Sequence, residues 1–280
     1  MAAKPKPRPA LTRAARPATF EVEAYNERGE MVPTSIAGEH PLTIYVDKHE
    51  VVTLMTLGHA PEALVIGYLR NQRLVESLDE IESVQVDWET EAAAVTTRAK
   101  KRLPGLGKKT VTTGCGQGTV YGDLMEEIDK VELNRNVFLE DAQLFRLLEN
   151  VRKHETIYKQ AGAVHGCALA TLDGGILMFV EDVGRHNAVD AIAGFMWLDG
   201  IDGADKVFYT TGRLTSEMVI KCTQMRIPFL VSRSGLTHMG HQIARRVGLT
   251  MLGRASGRHY LAFTGRERLV RTLPQPTALA

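Results

Sequence analysis

Apolar and polar residues alternate in Thr19 to Tyr25, Leu42 to Val46 and Val51 to Leu57, which predicts strands with side chains pointing in turn to opposite faces. Asp47-Lys48-His49-Glu50 is a polar turn that joins the last two as a hairpin. Pro61 suits a first helical turn, and Leu64, Val65, Tyr68, Leu69 and Val75 follow at roughly helical spacing. Ile81 to Asp87 and Ala93 to Arg98 read as two further strands. A loop rich in glycine and lysine occupies Lys100 to Gly118, and Leu139 to Tyr158 reads as one long helix with Leu144, Leu147, Leu148 and Val151 on its apolar face.

The second half alternates between the two periods. Strands are expected at Gly162 to Leu172, Ile176 to Val180, Lys206 to Thr211, Pro228 to Ser232, Leu249 to Gly253 and His259 to Thr264. Helices are expected from Ala188, near Ser216 and over His238 to Val247. This order predicts an α/β fold, a largely parallel or mixed sheet with flanking helices, beside a smaller β-rich N-terminal region. The expected division is a disordered basic tail over 1–17, an N-terminal region over 18–137 carrying the loop at about 100–118, and a C-terminal α/β domain over 138–280.

Composition narrows the classes. With 280 residues, 44% apolar and 24% charged, the chain can bury a core of ordinary size. A net charge of +1 gives no general reason to expect nucleic acid or a membrane as partner. No uninterrupted apolar run of about 18 residues occurs, and the proline-rich, basic N-terminus lacks the apolar stretch of a signal peptide, so a cytoplasmic protein is expected. Cys115, Cys167 and Cys222 stand far apart and are expected to be reduced thiols.

Three segments can carry chemistry. In Thr112-Thr113-Gly114-Cys115-Gly116-Gln117-Gly118-Thr119 a cysteine sits among glycines, which free the backbone to approach a ligand. Arg98, Lys100, Lys101, Arg102, Lys108 and Lys109 lie just upstream and would raise the thiolate fraction if they folded over Cys115. The other reading is a solvated loop with an incidental cysteine. Next, Glu181 to Asp190 follows an apolar strand where α/β sheets bind ligands; Asp182, Arg185 and His186 are candidates, or else serve the helix start. Finally, Val231 to His238 and Leu252 to His259 place arginine beside glycine and hydroxyl residues, which suits a phosphate or an ordinary turn. His165-Gly166-Cys167 raises zinc, but the C-x-x-C pair and the H-x-E of zinc deaminases are both absent, so no metal site is expected. In His238-Met239-Gly240-His241 one histidine should face in and the other out, and Cys222 reads as a core residue.

Together, EDVGRHNAVD (181–190), TSEMVIKC (215–222), IPFLVSRSGLTH (227–238) and GLTMLGRASGRHYLAFTG (248–265) resemble successive blocks of the formate dehydrogenase accessory sulfurtransferase family (FdhD). GCGQG (114–118) falls where that family has its cysteine loop, and the similarity runs from about Thr19 to Leu269.

The resemblance implies a core similar to cytidine deaminase, a homodimer, and a role in maturing formate dehydrogenase. Sulfur would pass from a cysteine desulfurase to a carrier cysteine as persulfide, then to the molybdenum or tungsten of bis-molybdopterin guanine dinucleotide. The implied partners are the desulfurase, the catalytic subunit of formate dehydrogenase and that cofactor, which is cargo. The carrier position falls on Cys115 and the cofactor-contacting segment on Arg254, Ala255, Ser256, Gly257, Arg258 and His259. Asp182, Arg185 and His186 are further cofactor candidates.

Two departures stand out. Many members have C-G-x-C-G, whereas this chain has Gly118 at the second cysteine position; a lone cysteine holds and passes sulfur but cannot resolve to a loop disulfide unless Cys167 comes near. Members often place an aromatic residue and an arginine where this chain has Arg254 and Ser256. The missing cysteine keeps open a cofactor-binding insertion chaperone without sulfur chemistry; a zinc-dependent nucleobase hydrolase ranks third.

Overall fold

The computed structural model describes residues 8–100, 110–111 and 128–272. Its first stretch holds β1 (Ala10–Leu11), β2 (Thr19–Tyr25), β3 (Met31–Ala37), β4 (His40–Val46), β5 (His49–Thr56), α1 (Pro61–Asn71), β6 (Ile81–Asp87), β7 (Ala92–Thr97) and β8 (Thr110–Val111). Then come β9 (Leu139–Glu140), α2 (Asp141–His154), α3 (Ile157–Ala161), β10 (His165–Thr171), β11 (Ile176–Asp182), α4 (Arg185–Asp199) and β12 (Lys206–Thr210). The last are α5 (Ser216–Gln224), β13 (Phe229–Ser232), α6 (His238–Val247), β14 (Thr250–Ser256), β15 (His259–Thr264) and β16 (Leu269–Val270). The described residues form two units. One comprises the segments up to 111, 156–166 and 180–201; the other comprises 128–155, 167–179 and 202–272.

The first unit contains a six-stranded sheet in the order β1-β6-β7-β4-β5-β8 and a separate β2-β3 hairpin. The predicted polar turn is tighter than the sequence suggests: Val46 pairs with His49, leaving Asp47 and Lys48 as a two-residue loop. Both have positive φ, 46° and 73°, as a type I′ turn demands. Asp47 tolerates this because its carboxylate accepts bonds from the backbone N–H and hydroxyl of Thr97.

Helices α1 and α4 of this unit pack backbone to backbone. A Cβ at Gly67 would lie 1.7 Å from the carbonyl oxygen of Asp190, and one at Gly194 would lie 1.9 Å from that of Ala63. Asn71 donates to buried Asp190 at 2.7 Å, and the Arg70 guanidinium lies 5.0 Å from the Trp197 ring.

The second unit is built on the sheet β11-β10-β12-β13-β14-β15, in which β12, β13 and β14 are parallel, β10 is antiparallel to β12 and β15 is antiparallel to β14. One face carries Ala168, Ala170, Val207, Tyr209, Phe229, Val231 and Leu252, and on it pack Leu144, Leu147, Leu148 and Val151, the face predicted for α2. The mixed α/β class is therefore observed.

Three expectations need correction. Residues 8–17 are not a solvated tail: Ala10 and Leu11 pair with Ser83 and Val84, Thr12 and Ala14 donate to Glu62, and Trp88 donates to the Ala14 carbonyl. Arg16 lies 5.3 Å from the Trp88 ring, so a cation–π contact holds a segment whose composition suggested solvent. Residues 1–7 lie outside the described residues. Second, β3 went unpredicted because Pro33 and Ser35 interrupt its pattern, yet it pairs with β2 along its whole length. Third, the long helix stops at His154 and α3 begins at Ile157. Buried Glu181 causes the break, accepting bonds from the N–H groups of Thr156, Ile157 and Tyr158 at 3.1, 2.9 and 2.9 Å.

Candidate functional site

The predicted cofactor segment is the tip of the β14-β15 hairpin. Ser256 pairs with His259, so Gly257 and Arg258 form the whole loop. Gly257 has φ of 58° and Arg258 does not share it, which is the φ pattern of a type II′ turn and favours glycine at the first loop position. The register also shifts between Gly253 and Ser256, and Arg254 at this bulge has φ of 54° while its N–H donates to the Ser234 carbonyl. Arg254, Ser256, Gly257, Arg258 and His259 are exposed; Ala255 is 1% exposed and belongs to the core.

Gly257 and Arg258 border a cavity of about 420 Å³ whose other walls are Ala142, Phe145, Arg146, Leu148, Glu149 and Arg152 of α2. Arg146, Glu149 and Arg152 recur every third residue, so one exposed stripe of the helix faces the hairpin tip. Arg146 uses one Nη to donate to the Asp173 carbonyl at 3.1 Å, and Glu149 is paired with Lys153 at 2.9 Å. Tyr260 donates to Asp141 Oδ1 at 2.6 Å, and its ring lies 6.3 Å from that of Phe145, which ties β15 to the first turn of α2. Burial and the neighbouring Asp141 carboxylate push the Tyr260 hydroxyl up to about 12, so it remains a donor. The sequence reading missed Arg146 and Arg152, which lie more than a hundred residues from Arg258.

Asp182, Arg185 and His186 lie at the end of β11 and the start of α4, and all three are buried. The Asp182 carboxylate accepts from the Thr56 hydroxyl at 2.5 Å, Leu57 N–H at 3.3 Å, Gly184 N–H at 3.2 Å and Asn187 Nδ2 at 2.9 Å. Asn187 also donates to the Met55 carbonyl, so this cluster fastens the end of β5 to the start of α4. Burial raises the Asp182 carboxyl to about 6 despite these donors. Neither Arg185 nor His186 is without a partner, although Arg185 Nε and His186 Nδ1 are buried and neither accept nor donate a hydrogen bond among the described residues.

The LVSRS stretch likewise has internal duties. The Ser232 hydroxyl donates to the Gly212 carbonyl and accepts from Ser234 N–H, while Arg233 pairs with Glu155 at 3.0 Å. His238 is exposed, and half-buried His241 meets the Phe263 carbonyl at 3.2 Å.

Cys115 lies outside the described residues. Cys167 and Cys222 are 0% exposed; Cys167 donates to the Thr210 hydroxyl at 3.3 Å, and burial pushes the Cys222 thiol well up. Among the described residues, no group of three or more His, Cys, Asp or Glu is placed to hold a metal, and no helix is long and apolar enough to cross a membrane.

The model of the FdhD/NarQ family matches residues 37–270, which takes in both the Asp182 cluster and the hairpin. The chain belongs to the FdhD/NarQ family. A family relative, the sulfur carrier protein FdhD of Listeria monocytogenes serotype 4b (strain F2365), is 30% identical over 254 residues, covering 89% of this chain and 95% of its own. The protein of the same name from Wolinella succinogenes is 28% identical over 233 residues, covering 82% and 81%. A crystal structure described as that of a formate dehydrogenase accessory protein from Desulfotalea psychrophila has the same fold, with a TM-score of 0.74 and 24% identity over 91% of this chain and all of that one.

Proposed function

We propose that this chain is a sulfur carrier for formate dehydrogenase. On this reading it takes persulfide sulfur from a cysteine desulfurase onto Cys115 and delivers it to the molybdenum or tungsten of bis-molybdopterin guanine dinucleotide. The observation that carries the assignment is the burial of the other two thiols. Cys167 and Cys222 are closed to a protein partner, and the raised Cys222 thiol is a poor nucleophile, which leaves Cys115 for sulfur exchange. The names of the relatives and the glycines around Cys115 support the same reading.

In the first step the Cys115 thiolate attacks the outer sulfur of the desulfurase persulfide. The new S–S bond forms on Cys115, and the desulfurase cysteine leaves as thiolate. In the second, the outer sulfur enters the metal as a sulfide ligand, the metal supplying the electron pair, and Cys115 leaves as thiolate. The exposed hairpin tip at Arg254, Ser256, Gly257, Arg258 and His259 offers backbone donors and positive charge to the cofactor's phosphates, with Ala255 anchoring it from the core. Homodimerisation, a cytoplasmic location and a cytidine-deaminase-like core belong to the same proposal.

Mass spectrometry of the full chain after reaction with a desulfurase and cysteine tests it. A gain of one sulfur on the wild-type chain, absent in Cys115→Ala and retained in Cys167→Ala, is expected. Persulfide on Cys115→Ala would overturn the carrier assignment. Normal formate dehydrogenase maturation with Cys115→Ser would instead favour an insertion chaperone, which Gly118 in place of a second loop cysteine keeps in view.

A further inference from the structure

We propose that the β2-β3 hairpin is the docking surface for the protein that hands persulfide sulfur to Cys115, a partner whose matching face is apolar at its centre and basic at its rim. This rests on the sulfur-carrier reading above and adds the surface that receives the donor. The two strands pair from Thr19 with Ala37 to Tyr25 with Met31, so one face carries Phe20, Val22 and Ala24 opposite Ile36, Thr34 and Val32. None of these side chains is buried, and neither is any on the other face. Phe20 and Ile36 are 43% and 48% exposed, and Met31 and Tyr25, the pair nearest the tip, are 56% and 74% exposed. A two-stranded hairpin that buries no side chain is marginal by itself, and a contiguous apolar strip left in water marks a contact surface.

The position of the hairpin names the occupant. β8 is parallel to β5, pairing Thr110 with Thr53 and Val111 with Leu54, so β8 runs toward the Thr56 end of the sheet. Thr56 pairs with His40, the first residue of β4, and the base of the hairpin joins β4 there through Gly38 and Glu39. The Phe20 ring lies 6.0 Å from the His40 ring. β8 and β4 are two strand spacings apart, about 10 Å, and the four residues from Val111 to Cys115 span up to about 14 Å. That length of chain lets Cys115 reach the Phe20–Ile36 pair, so a donor that brings its sulfur to Cys115 there meets the hairpin. Charge supplies the rim. Within residues 19–37, Glu21, Glu23, Glu27 and Glu30 are exposed against one cation, Arg28, whose Nε lies 3.9 Å from Glu27. The partner therefore needs basic residues around its apolar centre. A second copy stacked hairpin on hairpin would set these carboxylates against their own kind, which disfavours it as the occupant.

Biolayer interferometry of a cysteine desulfurase on the full chain carrying Cys115→Ser tests the surface without any sulfur step. Adding Phe20→Ser/Ile36→Ser or, separately, Glu21→Lys/Glu23→Lys should weaken binding about tenfold or more, through loss of an apolar anchor or of complementary charge. The charge variant alters exposed side chains alone, so it tests the surface even where the apolar variant unfolds. With Cys115 intact, persulfide formation should show the same loss as a raised KM for the desulfurase at an unchanged kcat. Glutathione persulfide, a donor too small to need the hairpin, should load the wild-type chain and both variants at one rate. No binding by the parent chain, parental affinity in either folded variant, or an equal loss of rate with glutathione persulfide would overturn the docking surface. A change from dimer to monomer in Phe20→Ser/Ile36→Ser, read by analytical ultracentrifugation, would assign the face to a second copy and overturn the donor as occupant. Absence of sulfur on wild-type Cys115 would count against the carrier reading, which the binding measurements do not use, so the two failures are told apart.

Discussion

Asp182 shows how a residue in a family motif can serve the fold. Four donors surround its carboxylate, yet desolvation outweighs them and raises it from 3.8 to about 6. Between those two values the folded chain keeps a proton that the unfolded chain has lost. Stability contributed by this group is therefore full below about pH 4 and is lost as pH rises through about 6. At about 1.4 kcal/mol per unit, the swing is on the order of 3 kcal/mol. Melting temperatures of the wild-type chain and Asp182→Asn across pH 4 to 7 read it out: the wild-type advantage should shrink as pH rises. A stability gap independent of pH would show that the carboxyl does not titrate there. The motif EDVGRHNA was legible in the sequence. That Asp182 fastens Thr56 and Asn187 was not, because Thr56 is remote in the chain and carries no local signal.

For secondary elements, local propensity and packing make opposite forecasts at the α1-α4 crossing. Glycine inside a helix costs about 0.5–1 kcal/mol relative to alanine, so Gly67→Ala or Gly194→Ala would stabilise an isolated helix. In the fold, each added methyl meets a carbonyl oxygen at under 2 Å, and the helices must separate. Both variants are expected to lose about 3 kcal/mol or more in urea unfolding. A gain in stability from either would show that the helices do not approach so closely. The apolar face of α2 was readable from its helical period, whereas its end at His154 was set by Glu181, a residue on a strand.

On the scale of the whole chain, the N-terminal segment belongs to the fold. Removing residues 1–17 would discard the β1 pairing, the bonds to Glu62 and the Arg16–Trp88 contact. A loss of about 2–4 kcal/mol is expected in urea unfolding, and an unchanged midpoint would mean that the segment is dispensable. Its composition, basic and rich in proline, argued for a tail because composition counts what a segment can bury by itself. It cannot show that Trp88 and Glu62 offer surfaces for the segment to pair with.

By itself the sequence determined the alternation of strands and helices, the buried face of α2, a polar turn beginning at Asp47, and membership of a family through four ordered blocks. These are local properties, written in side-chain period and backbone preference. Only the tertiary structure decided which residues share a site. Arg146 and Arg152 reach the hairpin tip because α2 lies on the sheet that ends there, and Cys167 and Cys222 are closed off because sheet and helices bury them. Charge and reactivity depend on neighbours brought together through space, and chain separation does not record them.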